Sequence, residues 1–87
     1  MQVESFDEPV EVEARFGPHG MRPLTFIWQG RRRVIRQVTG AWSERDGLLV
    51  HRCFSVTDGE RLYELRFETR ALRWQLTKVA WSDGTGA

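Results

Sequence analysis

Twelve arginines and a single lysine supply the positive charge of this chain apart from its two histidines, and where those arginines fall decides what chemistry is open to it. Arginine presents a planar fork of donors suited to phosphate or carboxylate, whereas lysine is a flexible point charge. The same bias arises from a GC-rich genome without any function. The informative arginines are therefore those that strand register places where a charge does not belong. Arg36 and Arg52 fall on an apolar sheet face as diagonal neighbours, within reach of each other for long side chains. Arg32, Arg61 and Lys78 lie on that face toward the Asp58-Gly59 turn. Each such cation needs a carboxylate, an opening to solvent or a ligand, because an unpaired buried charge is costly. One reading is an anion site at a barrel mouth, with Trp28, Tyr63 or Trp74 offering ring surface for stacking. The other is a solvated rim, in which the arginines lay their stems over apolar surface or pair with Glu11, Glu13 and Glu60.

Other candidate groups carry less. Arg31-Arg32-Arg33 follows a turn like a phosphate-contacting tip, but alternation sends Arg32 to one face and Arg31 and Arg33 to the other. His51 and Cys53 share a polar face at a spacing of about 7 Å by strand rise, too far for a direct bond unless they lean together. No acid or oxyanion loop supports them as a nucleophilic pair. His19, in Gly17-Pro18-His19-Gly20, has no second metal ligand nearby, and the glycine-rich phosphate motifs are absent. The expectation is no catalytic residue, no metal and no cofactor.

The elements that hold these residues read as strands. Gln29-Gly30 and Asp58-Gly59 are hairpin turn signals between runs of alternating apolar and polar residues, and no helical periodicity persists over a useful length. Six strands are expected: Val10 to Phe16, Leu24 to Trp28, Arg32 to Trp42, Leu48 to Val56, Glu60 to Phe67 and Leu72 to Trp81. A two-residue turn at Asp58-Gly59 pairs Phe54 with Tyr63 and Val50 with Phe67. A loop from Glu68 to Ala71 pairs Leu65 with Trp74 and Tyr63 with Leu76. A Ser43-to-Gly47 loop pairs Trp42 with Leu48, which places Val34, Val38 and Trp42 beside Val50, Phe54 and Val56. At the first hairpin a three-residue loop, Trp28-Gln29-Gly30, is preferred because a two-residue turn would set Phe26 opposite Arg33. The reverse face then carries Arg33, Gln37, Thr39, His51, Ser55, Glu64, Arg66, Arg73, Gln75 and Thr77. Val79 and Trp81 are out of phase with Trp74 and Leu76, which implies a bulge near Lys78 or a second contact for Trp81.

No helix is available to cover the apolar face, so the sheet must curl over itself, with Gly40 a natural bend. The expected fold is an all-β, six-stranded antiparallel meander curled into a small, partly open barrel. At 87 residues this is one domain, over 9–81, with a flexible start at 1–8 and a flexible tail at 82–87. Four Trp, five Phe and one Tyr supply its core. Cys53 is the only cysteine, so no disulfide framework exists and a reducing, cytoplasmic setting is the default. The acidic start does not resemble a secretory signal, and no run is long enough for a membrane helix. A net charge of +1 does not by itself imply a polyanion partner.

The run Pro23-Leu24-Thr25-Phe26-Ile27-Trp28-Gln29-Gly30-Arg31, followed by Val34, Val38 and Trp42, is similar to a family of small, uncharacterised bacterial all-β domains. Tyr63-Glu64-Leu65-Arg66-Phe67, then Arg73-Trp74-Gln75-Leu76 and Val79, extend the resemblance. Related domains occur at the carboxyl end of Y-family, translesion-type DNA polymerase homologues. The resemblance implies a non-catalytic accessory role near DNA repair, with single-stranded nucleic acid as partner. Leu48-Leu49-Val50 stands where that family has paired tryptophans, and Arg70-Ala71 replaces a glycine-containing turn. The competing expectation is a protein-interaction or self-associating module, using an open sheet edge or an exposed Trp81 as anchor.

Overall fold

Eight strands form within the residues that the computed structural model describes, 1–82. They are β1 (Gln2–Pro9), β2 (Glu11–Gly17), β3 (Gly20–Trp28), β4 (Arg31–Val34), β5 (Gln37–Asp46), β6 (Leu49–Thr57), β7 (Leu62–Glu68) and β8 (Arg73–Trp81). All pairings are antiparallel, in a five-stranded sheet of order β1-β8-β7-β6-β5 and a three-stranded sheet of order β2-β3-β4. The all-β expectation holds, but the single six-stranded barrel does not. The expected third strand, Arg32 to Trp42, breaks at Ile35-Arg36. There the Ile35 N–H still bonds to Leu24 O at 3.0 Å in one sheet, while the Arg36 N–H bonds to Thr57 O at 2.8 Å in the other. The chain changes sheets again at Val10, whose N–H bonds to Trp74 O. Such corners let two sheets enclose a core without closing a barrel.

The start of the chain, expected to fray, is instead β1, laddered along β8 from Gln2↔Trp81 to Pro9↔Gln75. Its charges hide one inward anchor, Phe6, which meets Trp28 edge to face at 5.5 Å. Of the expected tail at 82–87, all but Ser82 lies outside the described residues.

Register follows the loops. The β6–β7 connection has four residues, Asp58 to Arg61, so Phe54 faces Leu65 and Val56 faces Tyr63. The β7–β8 connection is Thr69 to Leu72, so Phe67 faces Trp74 and Leu65 faces Leu76. Both differ from expectation by two residues, which preserves the faces. Thr77 is skipped where the β7–β8 register shifts, and this is the bulge expected near Lys78; it brings Val79 into the core. Two expectations fail in parity. In β5 a bulge at Thr39, beside Gly40, restores Ala41 to the face of Phe54 and sends Trp42 to the opposite face with Cys53. At the first hairpin Gln29 and Gly30 both have positive φ, 53° and 70°, the primed two-residue turn that fits strand twist. Phe26 therefore does face Arg33.

Between the sheets, Phe26 and Trp28 of β3 pack on Phe54, Val56, Tyr63, Leu65, Leu76 and Val79. Val56, Leu65 and Leu76 are fully buried, and each such aliphatic side chain contributes about 1.5–3 kcal/mol. Edge-to-face contacts of Tyr63 with Phe26 (4.9 Å) and Trp28 (6.0 Å) fix one end of this core. Trp74 with Phe54 and Phe67 fixes the other. Trp81 is half-buried against the cluster.

Candidate anion-binding cleft

The end of the core marked by Tyr63 opens into a cleft of about 400 Å³ between the β3–β4 hairpin and the β6–β7 loop, lined by Arg31, Arg32, Arg33, Arg36 and Arg61. Three local features bring these cations together. The primed turn starts β4 at Arg31, and alternation turns Arg31 and Arg33 inward opposite Trp28 and Phe26. The sheet change at Ile35-Arg36 ties the Arg36 backbone to the end of β6. Gly59, at φ +99°, lets the Arg36 side chain lie across the loop: a Cβ at Gly59 would come within 3.2 Å of Arg36 Cδ.

Asp58 builds the loop that carries Arg61. Its Oδ1 accepts from the N–H groups of Glu60 and Arg61, both at 2.9 Å, and its Oδ2 from the Tyr63 hydroxyl at 2.9 Å. Thr57 Oγ1 donates to Arg61 O and accepts from the Gly59 N–H. Burial pushes the Asp58 carboxyl up, but the bonds from Arg61, Glu60 and Tyr63 outweigh it and hold the pKa below its ordinary value. For Tyr63, burial and the bond to Asp58 raise the hydroxyl, with the charges of Arg33 and Arg61 pulling back. Asp58 is thus occupied with shaping the loop. Among the described residues, Arg31, Arg33, Arg36 and Arg61 form no ion pair. Glu60, exposed, is the other carboxylate lining the cleft.

Of the residues expected to form the site, the cleft gathers Arg32, Arg36 and Arg61. Arg32 points to the outer face and is held by Glu13, which also accepts from Thr25 Oγ1 at 2.6 Å. The Thr25 bond, followed by the charge of Arg32, lowers the Glu13 pKa. Arg52 does share the face of Phe54, but it faces Phe67 and Ser43. It lies five positions along β6 from Thr57, about 17 Å by strand rise, so Arg36 and Arg52 are not neighbours. Lys78 sits on the reverse face of the five-stranded sheet, 4.0 Å from Glu64. Trp74 belongs to the opposite end of the core.

The rings offer no open stacking platform in the cleft. Trp28 is 5% exposed and Tyr63 2%. The guanidinium of Arg33 covers Trp28, 5.1 Å from the ring centre, and the indole N–H donates to Glu8 Oε2 at 2.6 Å. Sequence reasoning left out Arg31 and set Arg33 on the reverse face; a two-residue turn at Gln29-Gly30 was the signal that would have placed both. Cys53, paired with Trp42 and Arg66 on neighbouring strands, is buried, and its thiol is pushed up to about 11 by burial first and by Glu44 and Glu64 next. A thiol so protonated at neutral pH is a poor nucleophile.

Among the described residues no three His, Cys, Asp or Glu side chains gather as a metal site, and no helix is long and apolar enough to cross a membrane. Comparison with protein-family models, with curated proteins and with solved structures finds no match to this chain, so the cleft is interpreted from its own residues.

Proposed function

We propose that this protein is a non-catalytic module that binds single-stranded nucleic acid through its phosphates, in a reducing cytoplasmic setting and as an accessory to DNA repair. The observation that carries the binding is the convergence of Arg31, Arg33, Arg36 and Arg61 on one cleft without an ion-paired carboxylate among the described residues. Guanidinium forks match phosphate oxygens in pairs, and the closed aromatic rings direct the contact to the backbone rather than to base faces. Binding of this kind is sequence-tolerant and falls steeply with salt.

The test is fluorescence anisotropy of a labelled oligothymidine at low salt, repeated as salt is raised. A Kd below about 100 μM at low salt, weakening with added salt, supports the proposal. No binding at that concentration, or binding indifferent to salt, overturns it in favour of a protein-interaction module.

A further inference from the structure

A second groove, of about 680 Å³, opens between the β2–β3 turn and β5. Its lining carries three arginines, Arg15, Arg22 and Arg36, beside His19, and no carboxylate. Arg15 and Arg22 face each other directly across β2 and β3, a like-charge pairing that costs stability. They lie on the sheet face opposite Met21, so that they border the groove at its rim. Neither has an ion pair among the described residues. The floor is apolar, with Met21 and Val38 packed on the core and Ala41 opposite Phe54. Arg36 lines both this groove and the arginine cleft, so the two form one cationic track with an apolar hollow along it.

We infer that this groove holds a base of the bound strand, with the flanking phosphates on Arg36 and on the Arg15–Arg22 pair. The inference rests on the proposed phosphate binding and adds what the ligand must carry besides phosphate. A bare phosphate chain would leave the apolar floor in water and fill little of the volume. A nucleotide supplies both a flat, weakly polar body of suitable size and anionic groups on either side, as clefts with an apolar lining and a few charged groups require. Val38, Ala41 and Met21 offer van der Waals contact without donors or acceptors from their side chains. The hollow therefore accepts any base, and discrimination is between a base and none.

The experiment compares oligothymidine with an abasic strand of equal length, against the wild-type chain and against Ala41→Trp. Ala41 is exposed, so the larger side chain fills the groove without altering charge. The wild type should bind oligothymidine about 5-fold more tightly than the abasic strand, the low end of what one base contributes. Ala41→Trp should erase that difference by bringing oligothymidine affinity down to that of the abasic strand. Equal wild-type affinity for the two strands overturns the base site and leaves phosphate binding standing; this comparison needs no variant to fold. Persistence of the preference in a folded Ala41→Trp chain moves the base elsewhere and also overturns it. Binding of neither strand removes both readings.

Discussion

Cations on the reverse face of the five-stranded sheet and cations in the cleft have opposite surroundings. On the reverse face Arg66 donates to Gln75 at 3.1 Å and lies 3.9 Å from Asp7, while Lys78 lies 4.0 Å from Glu64. Thr77 donates to Glu64 as well, at 2.6 Å. Positive and negative groups alternate there, as on an ordinary solvated sheet face. In the cleft, four arginines converge without an ion pair among the described residues; of the two carboxylates there, Asp58 is committed to its own loop and Glu60 is exposed. A genome-wide preference for arginine would explain how many there are, but not their accumulation at a turn, a sheet change and a loop end that meet. The proposed binding therefore rests on placement, not on composition.

The sharpest way to break this contrast is charge reversal at each place. Arg36→Glu with Arg61→Glu should weaken oligonucleotide binding at least about 100-fold at low salt. The slope of log K against log salt should fall by about 1.4, the share of two phosphate contacts on a single strand. Arg70→Glu with Arg73→Glu, at the far end of β7 and β8, changes net charge equally and should alter affinity by no more than about 2-fold once general steering is allowed for. Anisotropy across a salt series measures both. Equal losses would mean that net charge, not the cleft, governs binding.

How far the sequence revealed this geometry depends on parity. Strand alternation repeats every two residues, so a register wrong by two leaves every side chain on its proper face. Phe54, Val56, Tyr63, Leu65 and Phe67 were assignable to one face for that reason, although both of their hairpin registers differed from expectation. Parity does not survive a bulge or a sheet change. Trp42 crossed to the other face because Thr39 is an extra residue. Arg36 moved from beside Phe54 to beside Thr57 because Gly47-Leu48 alone joins β5 to β6, in place of the expected Ser43-to-Gly47 loop, and this pairs Asp46 with Leu49 and Gln37 with Thr57. The four-residue loop was hidden for another reason: Asp58 closes it by side-chain bonds to Glu60 and Arg61, which alternation does not record. Arg52, Lys78 and Trp74 lie away from the cleft that gathers Arg32, Arg36 and Arg61.

A smaller effect tests the rival, protein-docking use of the molecule. Trp81, expected as an exposed anchor, is instead half-buried on the core cluster opposite Gln2. Trp81→Ala should cost about 2 kcal/mol, less than truncating a fully buried Trp, and lower Tm by about 8–16 °C in a domain of this size. Light scattering should find the same oligomeric state as the wild type. An unchanged Tm with altered association would return Trp81 to an interface and weaken the case for the cleft as the principal binding surface.

The smallest effect separates local charge from local shape. Asp58 has a folded-state pKa below the ordinary 3.8, so its ionised form is favoured by folding. That stability is fully present above the unfolded pKa and is lost as pH falls through the folded value. Asp58→Asn should therefore cost about 1 kcal/mol at neutral pH, the usual net worth of a hydrogen bond. Urea denaturation should show the gap between wild type and variant narrowing as pH falls below about 3.8. On charge alone, the same substitution makes the cleft more positive and ought to strengthen binding. If position matters more, the gain does not appear, because Asp58 holds the loop that presents Arg61 and supports Arg36 across Gly59. We expect oligonucleotide affinity to stay level or fall at neutral pH. A clear rise would identify the cleft as a diffuse positive surface rather than a shaped site.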